Sequence, residues 1–191
     1  MTLSAYVTQV KSWAREARAN KLFWRGLALA LFVVALDQAS KYWIVHSVEL
    51  PRLGKIEISA IFDLSYVENR GASFGILHGM RWVLSIISIG VALGLGYWLG
   101  RLKRPIAAIG VGFVIGGALG NLYDRLAYGY VVDFLDFSGL GFPWVFNVAD
   151  LAINVGIAFL LLDAWRTGQT EKMAEKSAEK AAKSHAENRA D

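Results

Sequence analysis

The sequence predicts a mainly α-helical membrane protein: a four-transmembrane-helix bundle that carries a small extracytoplasmic β-sheet. Three observations support this fold class. Hydrophobic residues make up 55% of the 191-residue chain. Four apolar stretches approach or exceed the roughly 20 residues that an α-helix needs to cross a bilayer. An alternating, strand-like segment separates the first two stretches. Soluble domains of this size seldom carry apolar segments so long and so free of charge.

The four predicted spans cover about residues 22–45, 80–99, 105–123 and 148–165. One compact domain over residues 22–166 is the simplest arrangement for them. Small residues spaced four apart let helices approach closely. Such spacing occurs at Gly90/Gly94, Gly96/Gly100 and Gly112/Gly116/Gly120.

Charged segments flank this domain. Residues 1–21 form a basic leader with apolar residues at helical spacing, which predicts either a surface-lying helix or a loosely ordered tail. Residues 167–191 form a charged tail, for which we expect partial helix and no chemical role. Lys and Arg concentrate in these segments and in residues 101–104, whereas residues 127–147 contain neither. By the positive-inside rule, both termini are expected to be cytoplasmic.

Composition excludes several other functions. The net charge of +4 follows from the membrane topology, so we expect no nucleic-acid partner. The chain has no cysteine, which excludes disulfides, thiolate metal sites and a cysteine nucleophile. Its three histidines, His46, His78 and His185, lack the spacing of metal ligands. We therefore expect neither a metal nor a cofactor.

The segment between the first two spans alternates apolar and polar residues over about residues 49–68. Ile56 and Ile58 flank Glu57, as in a strand with one buried face. This pattern predicts a small sheet seated on the membrane. Residues 72–79 then lead into the second span as a short helix or loop.

Ionisable residues at membrane depth are costly unless they face a partner or a polar cavity. Asp37 and Lys41 lie four residues apart on one face of the first span. They form either an ion pair that anchors the helix or part of the lining of a site. The turn from Asn69 to Gly71 suits a close approach of backbone, and it is either a simple connector or part of that site.

Two further polar clusters occur at the ends of apolar stretches. Asn121, Asp124 and Arg125 share one face of the third span, where Arg125 pairs either with Asp124 or with a substrate carbonyl. Asp133 follows in an alternating stretch that also contains Asp136, and we expect Asp136 to be the more solvent-exposed of the two.

The fourth span carries a polar stripe at its start. Asn147, Asp150 and Asn154 lie at i, i+3 and i+7, and Asn147 suits a helix N-cap. Asn154 lies deeper than capping requires, which favours a polar cavity.

Paired aspartates suggest acid–base chemistry. Two carboxylates that share one proton cannot both ionise at close range, so one serves as base towards water and the other as acid. Water activated in this way attacks a peptide carbonyl. The spacing alone leaves open which two of Asp37, Asp124, Asp133 and Asp150 form the pair.

Five short blocks in fixed order resemble those of the bacterial lipoprotein signal peptidases, also called signal peptidase II. The resemblance covers roughly residues 22–165, with one departure at Ser73, where many members carry alanine. The blocks are Asp37-x-x-x-Lys41, Asn69-x-Gly71-Ala72-Ser73-Phe74, Gly120-Asn121-x-x-Asp124-Arg125, Val132-Asp133-Phe134 and Phe146-Asn147-x-Ala149-Asp150.

The resemblance implies an aspartic endopeptidase of the bacterial inner membrane, with its active site near the periplasmic face. Such enzymes remove signal peptides from diacylglyceryl-modified prolipoproteins by cleaving before the lipidated cysteine, and globomycin inhibits them. The partners implied are these substrates and membrane lipids, and a monomer is expected. The sheet would form a cradle over the site and residues 72–79 a periplasmic helix or lid.

The resemblance also assigns roles to individual residues. Asp133 and Asp150 would be the catalytic pair, and Asp124 would orient Asn121 or Arg125. The substrate-binding and supporting residues would be Asn69, Gly71, Asn121, Asp124, Arg125 and Asn147, with Asp37 and Lys41 in structural roles.

Two other functions remain as alternatives. A small proton-coupled transporter would also use intramembrane carboxylates, but the acidic groups cluster on the outer side and no inverted repeat is evident. A non-catalytic scaffold that binds prolipoproteins would need the groove but not both Asp133 and Asp150.

Overall fold

The computed structural model describes residues 3–71 and 80–187, and within them it confirms the predicted fold class. Four helices in this part of the chain are long and apolar enough to cross a membrane, and a four-stranded antiparallel sheet accompanies them. The candidate spans are Lys21–Ser47, Arg81–Leu99, Pro105–Ala127 and Val148–Ser177. The predicted periplasmic helix or lid, residues 72–79, lies outside the described residues.

The helices follow the apolar stretches but extend further at the two ends of the chain. Helix α2 continues past Tyr42 as a π-helical turn, Trp43–Ser47, and the last helix continues well into the charged tail. The helices are α1 (Leu3–Ala19), α2 (Lys21–Tyr42), α3 (Leu50–Leu53), α4 (Arg81–Leu99), α5 (Pro105–Ala127) and α6 (Val148–Glu187).

Helix α5 is the most buried of the four spans and packs against α2 and α6. Glycines allow this close approach. A Cβ at Gly112 would lie 2.7 Å from the Gly26 carbonyl oxygen, and one at Gly116 would lie 2.6 Å from Val33 Cβ. These two glycines therefore mediate helix contact, as their spacing predicts.

The same prediction is wrong for the three glycines of α4. Among the described residues, nothing lies within 4 Å of a Cβ built at Gly90, Gly94 or Gly96. Gly100, just after α4, does pack closely, because its Cβ would meet the Trp13 ring at 2.6 Å. Spacing alone does not show whether a glycine faces a neighbouring helix or lies on the outside of the bundle.

The basic leader is helical and docks onto the bundle. Trp13 Nε1 donates to the Tyr97 carbonyl at 2.9 Å, and its ring stacks on that of Tyr97 at 5.5 Å. Asn20 caps α2 by accepting from Leu22 N, and its amide donates to the Leu102 carbonyl at 2.9 Å. Of the two possibilities left by the sequence, the structure shows the helix.

The sheet draws on both segments that connect the spans on this side. Its strands are β1 (Lys55–Glu57), β2 (Asp63–Asn69), β3 (Val131–Asp136) and β4 (Val145–Phe146), paired antiparallel in the order β1-β2-β3-β4. The predicted sheet region, residues 49–68, was partly wrong, since Leu50–Leu53 is helical. The prediction also missed strand β3. This strand is buried on both faces, so its acidic residues do not lie on a solvent-exposed face.

An apolar cluster fixes the sheet to the end of α2. Ile44 and Leu50 are fully buried against Leu64, Val132 and Phe134 of the two central strands. Burial of side chains of this size contributes roughly 1.5–3 kcal/mol each. Strand β3 is thereby held over the C-terminal end of α5 and the start of α6.

Candidate active site

Two carboxylates meet where the sheet covers the bundle. Asp133 comes from the middle of β3, and Asp150 lies in the first turn of α6. Asn147 fixes the start of α6, because its Oδ1 accepts from Asp150 N at 2.9 Å while Asp150 Oδ2 accepts from Asn147 N at 3.4 Å. This reciprocal arrangement is a capping box. It holds the Asp150 carboxylate beside the helix N-terminus, where the helix dipole favours negative charge.

Asn147 also links Asp150 to Asp133. Its side-chain amide donates to Asp133 Oδ1 at 2.6 Å, and Asn147 itself is fully buried. One asparagine therefore contacts both carboxylates, through its backbone on one side and its amide on the other. The sequence identified it as a helix cap, whereas the bridge to Asp133 depends on the placement of β3.

Two further asparagines donate to the remaining oxygens. Asn69, the last residue of β2, donates to Asp133 Oδ2 at 2.9 Å. Asn121 of α5 donates to Asp150 Oδ1 at 2.8 Å. Four elements thus converge on the pair, and each carboxylate is oriented by neutral donors rather than by a salt bridge.

The environment of Asp133 favours its protonated form. Its side chain is buried, with 1% of its surface exposed. Burial and the charge of Asp150 raise the pKa of Asp133 to about 7, against the opposing effect of hydrogen bonds from Asn69 and Asn147. Near neutral pH the pair can therefore hold one proton between two carboxylates, the state that acid–base hydrolysis requires.

A buried ionic network supports the site from below. Lys41 Nζ lies 2.8 Å from Asp37 and 2.9 Å from Asp124, and it donates to Asn121 Oδ1 at 3.4 Å. Asp37 Oδ1 accepts from Ala149 N at 2.9 Å, next to Asp150. The Asp37–Lys41 pair is present as an intramembrane ion pair that also fixes the start of α6 and the side chain of Asn121.

Asp124 is placed differently from the expectation that it orients Asn121 or Arg125. Its carboxylate pairs with Lys41, and it accepts from Gln38 at 2.9 Å and from Val132 N at 3.2 Å. It therefore ties β3 to the bundle and reaches Asn121 only through Lys41.

The sequence did not single out Gln38, which belongs to this network. Its amide donates to both Asp37 and Asp124, at 3.1 and 2.9 Å. A glutamine within a membrane span, next to an aspartate, was the available signal. Its contact with Asp124 depends on the packing of α2 against α5.

Arg125 contacts backbone carbonyls of its own chain rather than the carboxylate of Asp124. It donates to the Asn121 carbonyl at 3.4 Å and to the Gly71 carbonyl at 3.3 Å. Gly71 N in turn donates to Asn69 Oδ1 at 3.0 Å. Arg125 therefore holds the turn that follows β2 against the end of α5.

The expected order of the two aspartates of β3 is confirmed, because Asp133 is 1% exposed and Asp136 slightly more, but Asp136 is still a buried residue. It is 6% exposed and accepts from Ser65 Oγ at 2.6 Å and from Ser138 N at 2.9 Å. The Ser65 hydrogen bond, then those of Ser138, and the nearby charge of Lys55 lower the pKa of Asp136 to about 2. It lies on the opposite side of β3 from Asp133 and stabilises the sheet.

The pair opens into a groove of about 480 Å³. Asp133 and Asp150 line it together with Asn69, Gly71 and Asn154, so the deeper polar residue of α6 does border a cavity. The apolar part of the wall consists of Val67, Phe142, Pro143, Trp144, Val145, Phe146 and Leu151. Glu68 and Arg70 also line the groove. A groove with a few polar and charged groups among mainly apolar side chains suits an extended peptide with apolar residues.

Other chemistries find no support in the described part of the chain. Across residues 3–71 and 80–187, no group of three or more His, Asp or Glu side chains could hold a metal ion. His46 lies on another face, against the Tyr42 ring.

Comparison with known proteins shows which family the chain resembles. Residues 29–166 match the family model described as signal peptidase (SPase) II. A lipoprotein signal peptidase of Caulobacter vibrioides is 48% identical over 152 residues, covering 74% of this chain and 87% of the relative. A lipoprotein signal peptidase of Brevibacillus brevis is 44% identical, covering 75% of this chain and 97% of the relative. A solved bacterial membrane enzyme superposes with a TM-score of 0.67 at 28% identity, covering 74% of this chain and 88% of the other. With the four apolar helices, these relatives indicate a multi-pass bacterial membrane protein.

Proposed function

The chain belongs to the signal peptidase II family, and we propose that it removes signal peptides from diacylglyceryl-modified prolipoproteins by cleaving before the lipidated cysteine. The observation that carries the catalytic part of the proposal is the bridge that Asn147 makes between Asp133 and Asp150 inside one groove. The family makes the protein a protease, and this pair supports the aspartic type.

In the proposed reaction, one carboxylate of the pair accepts a proton from water as the water attacks the scissile carbonyl. The other, protonated carboxyl donates a hydrogen bond to the developing oxyanion and then transfers its proton to the leaving amine as the C–N bond breaks. The proton taken from water stays on the first carboxyl, so the pair again holds one proton. The raised pKa of Asp133 supports its role as the proton-carrying member at rest. Asn69, Asn121 and Asn147 keep both carboxylates in position throughout, so little reorganisation is needed when charge moves.

The groove suits both parts of the substrate. Apolar side chains such as Trp144 and Leu151 would contact the signal peptide, while the turn at Gly71, held by Arg125, offers backbone groups to an extended chain. Asp150 lies at the first turn of its span, at the membrane surface rather than mid-bilayer. A lipid-anchored substrate can reach it laterally, and water can reach it from outside.

The charge distribution supports the expected topology in the inner membrane. Basic residues flank the ends of the spans that lie opposite the sheet, so both termini would be cytoplasmic and the active site would face the periplasm. Membrane lipids would surround the exposed apolar helix faces, and a monomer is proposed, since the asparagines that hold the pair, Asn69, Asn121 and Asn147, belong to the same chain as the pair.

The proposal can be tested with the purified protein in detergent and a synthetic diacylglyceryl-modified prolipoprotein peptide. Mass spectrometry of the products should show one cut immediately before the lipidated cysteine. The same peptide without the diacylglyceryl group serves as the control and should be cut far more slowly. Equal cutting of both peptides, or a cut elsewhere, would contradict the substrate assignment. Binding without any cleavage would favour the scaffold, and proton flux in sealed vesicles would favour the transporter.

A further inference from the structure

A second cavity, of about 320 Å³, lies at the same end of the bundle as the candidate active site. It is formed between α2, the end of α5 and the sheet, and no residue that lines it also lines the catalytic groove. Five tyrosines dominate its wall. Its lining consists of Tyr42, Tyr66, Tyr123, Tyr128 and Tyr130 with Gln38, Lys41, Val45, His46, Asp124 and Val132.

The tyrosine rings lie close together around this space. The Tyr128 ring centroid lies 6.3 Å from that of Tyr123 and 6.3 Å from that of Tyr130. Cations are attracted to the faces of such rings within about 6 Å of the centroid. The Tyr130 ring already has a cation near it, since Arg70 Cζ lies 5.5 Å from its centroid while Arg70 pairs with Glu68 at 2.8 Å.

The charged side chains that line the cavity, Lys41 and Asp124, are of opposite sign, and Asp37 lies outside the lining. Lys41 is paired with both Asp37 and Asp124, so two carboxylates surround one ammonium group. Burial, then Tyr123 and Asp124, raise the pKa of Tyr128, so this phenol stays neutral and protonated. A ligand in the cavity therefore meets neutral aromatic walls above a floor whose lining charges are paired, and it is the faces of the tyrosine rings that favour a cation over an anion.

The cavity lies near the ends of two of the candidate membrane spans, α2 and α5, where a bilayer would place its headgroup layer. Tyr42 ends α2 and Tyr123 lies in the last turn of α5, and their side chains are 65% and 52% exposed. Further along α2 towards the bilayer, Leu31, Phe32 and Leu36 are exposed and available to acyl chains. A ligand with an ammonium headgroup and apolar tails would satisfy both regions at once.

We propose that this tyrosine-lined cavity binds the ammonium headgroup of a zwitterionic phospholipid whose acyl chains lie along α2. The site is separate from the catalytic groove and needs no substrate to form. Phosphatidylglycerol, an anionic lipid without an ammonium group, would not be retained there.

Native mass spectrometry of lipids retained during detergent exchange tests this proposal. The protein is equilibrated with equal amounts of phosphatidylethanolamine and phosphatidylglycerol, and separately with phosphatidylethanolamine and its N-acetylated, uncharged derivative. Wild type should retain phosphatidylethanolamine at least about threefold over either competitor, as cation–π contacts of ordinary strength predict. Equal retention in both competitions would overturn the proposal without any variant.

Variants test whether the lipid preference arises from the tyrosines of the cavity or from any aromatic side chain at the membrane surface. The Tyr42→Leu/Tyr128→Leu double variant should lose the preference, and Tyr42→Phe/Tyr128→Phe should keep it, because phenylalanine retains the ring face. Trp82→Leu is the matched control, since Trp82 is 60% exposed at the start of α4 and does not line the cavity. An equal loss in Trp82→Leu, or a full preference in the leucine pair, would contradict the assignment. A loss in the phenylalanine pair as large as in the leucine pair would also overturn it.

Discussion

At the scale of single residues, three asparagines determine how the two aspartates are held. Asn147 contacts both, while Asn69 and Asn121 each hold one. Neutral donors orient a carboxylate without fixing its charge, which a lysine or arginine in the same place would do. This explains how a buried pair can keep a shared proton beside the Lys41 network.

Replacing Asn147 with alanine should lower both activity and stability. Loss of a helix N-cap costs about 1 kcal/mol, and a buried carboxylate oxygen left without its donor costs about 1–3 kcal/mol more. We also expect kcat to fall by about 10²-fold, as when one positioning hydrogen bond of a catalytic group is removed. Turnover of the lipidated peptide and the free energy of unfolding measure the two effects.

Asn20 provides the matched control for this prediction. It caps α2 in the same way, through a side-chain hydrogen bond from Leu22 N, but it lies at the other end of the bundle. Asn20→Ala should therefore lose stability with kcat nearly unchanged. If Asn147→Ala matched Asn20→Ala in kcat, the positioning role of Asn147 would be wrong.

The pKa of Asp133 predicts how activity depends on pH. Because burial and Asp150 raise it to about 7, activity should decline above about pH 7 as the shared proton is lost. A kcat–pH profile measured on the lipidated peptide checks this. Full activity maintained to pH 9 would contradict the assignment of the proton to Asp133.

The raised pKa of Asp133 also makes the stability of the protein depend on pH. A carboxyl whose pKa is raised on folding binds its proton more tightly in the folded state, so its contribution to stability is present below about pH 4 and is lost as pH rises to about 7. The Asp133→Asn variant has no carboxyl to deprotonate at this position, so it does not lose this stability as pH rises. Its melting temperature relative to wild type should therefore rise between pH 4 and 7 and then level off; a constant difference would contradict the shift.

At the scale of elements, the sequence predicted the helices better than the sheet. Long apolar runs are sufficient to predict α4 and α5, because a membrane-spanning segment must satisfy its backbone hydrogen bonds internally and an α-helix does so. Strand β3 is buried on both faces and carries Asp133 and Asp136, so its pattern lacks the simple alternation of an exposed strand. Its pairing with β2 is long-range and could not be read from local residues.

Glycine substitutions should have opposite effects in two spans. Gly116→Ala in α5 places a methyl group 2.6 Å from Val33 Cβ and should destabilise the bundle by about 1–3 kcal/mol. Gly94→Ala in α4 meets no described atom within 4 Å and should stabilise the helix by up to about 1 kcal/mol. Unfolding in mixed detergent micelles gives both values. Destabilisation by Gly94→Ala would show that the outer face of α4 packs against something further.

At the scale of the whole molecule, the site exists because the sheet closes over one end of the bundle. The ordered polar motifs of the sequence identified nearly all residues that contact the aspartates, since polar groups at membrane depth stand out against an apolar background. Gln38 and the burial of Asp136 escaped that reasoning because they depend on contacts between distant segments. The α1 helix and the end of α6 lie outside the family match at residues 29–166 and extend this common core.

The most direct measurement is the single-turnover cleavage rate of the lipidated peptide by wild type, Asp133→Asn and Asp150→Asn. Asp163→Asn is the matched control, because Asp163 is a buried α6 carboxylate paired with Arg104 at 2.9 Å, away from the groove. The proposed mechanism predicts that both site variants stay folded and lose about 10²- to 10⁴-fold or more in rate, while Asp163→Asn cleaves nearly as wild type does. Near-normal cleavage by either site variant would contradict the aspartate pair.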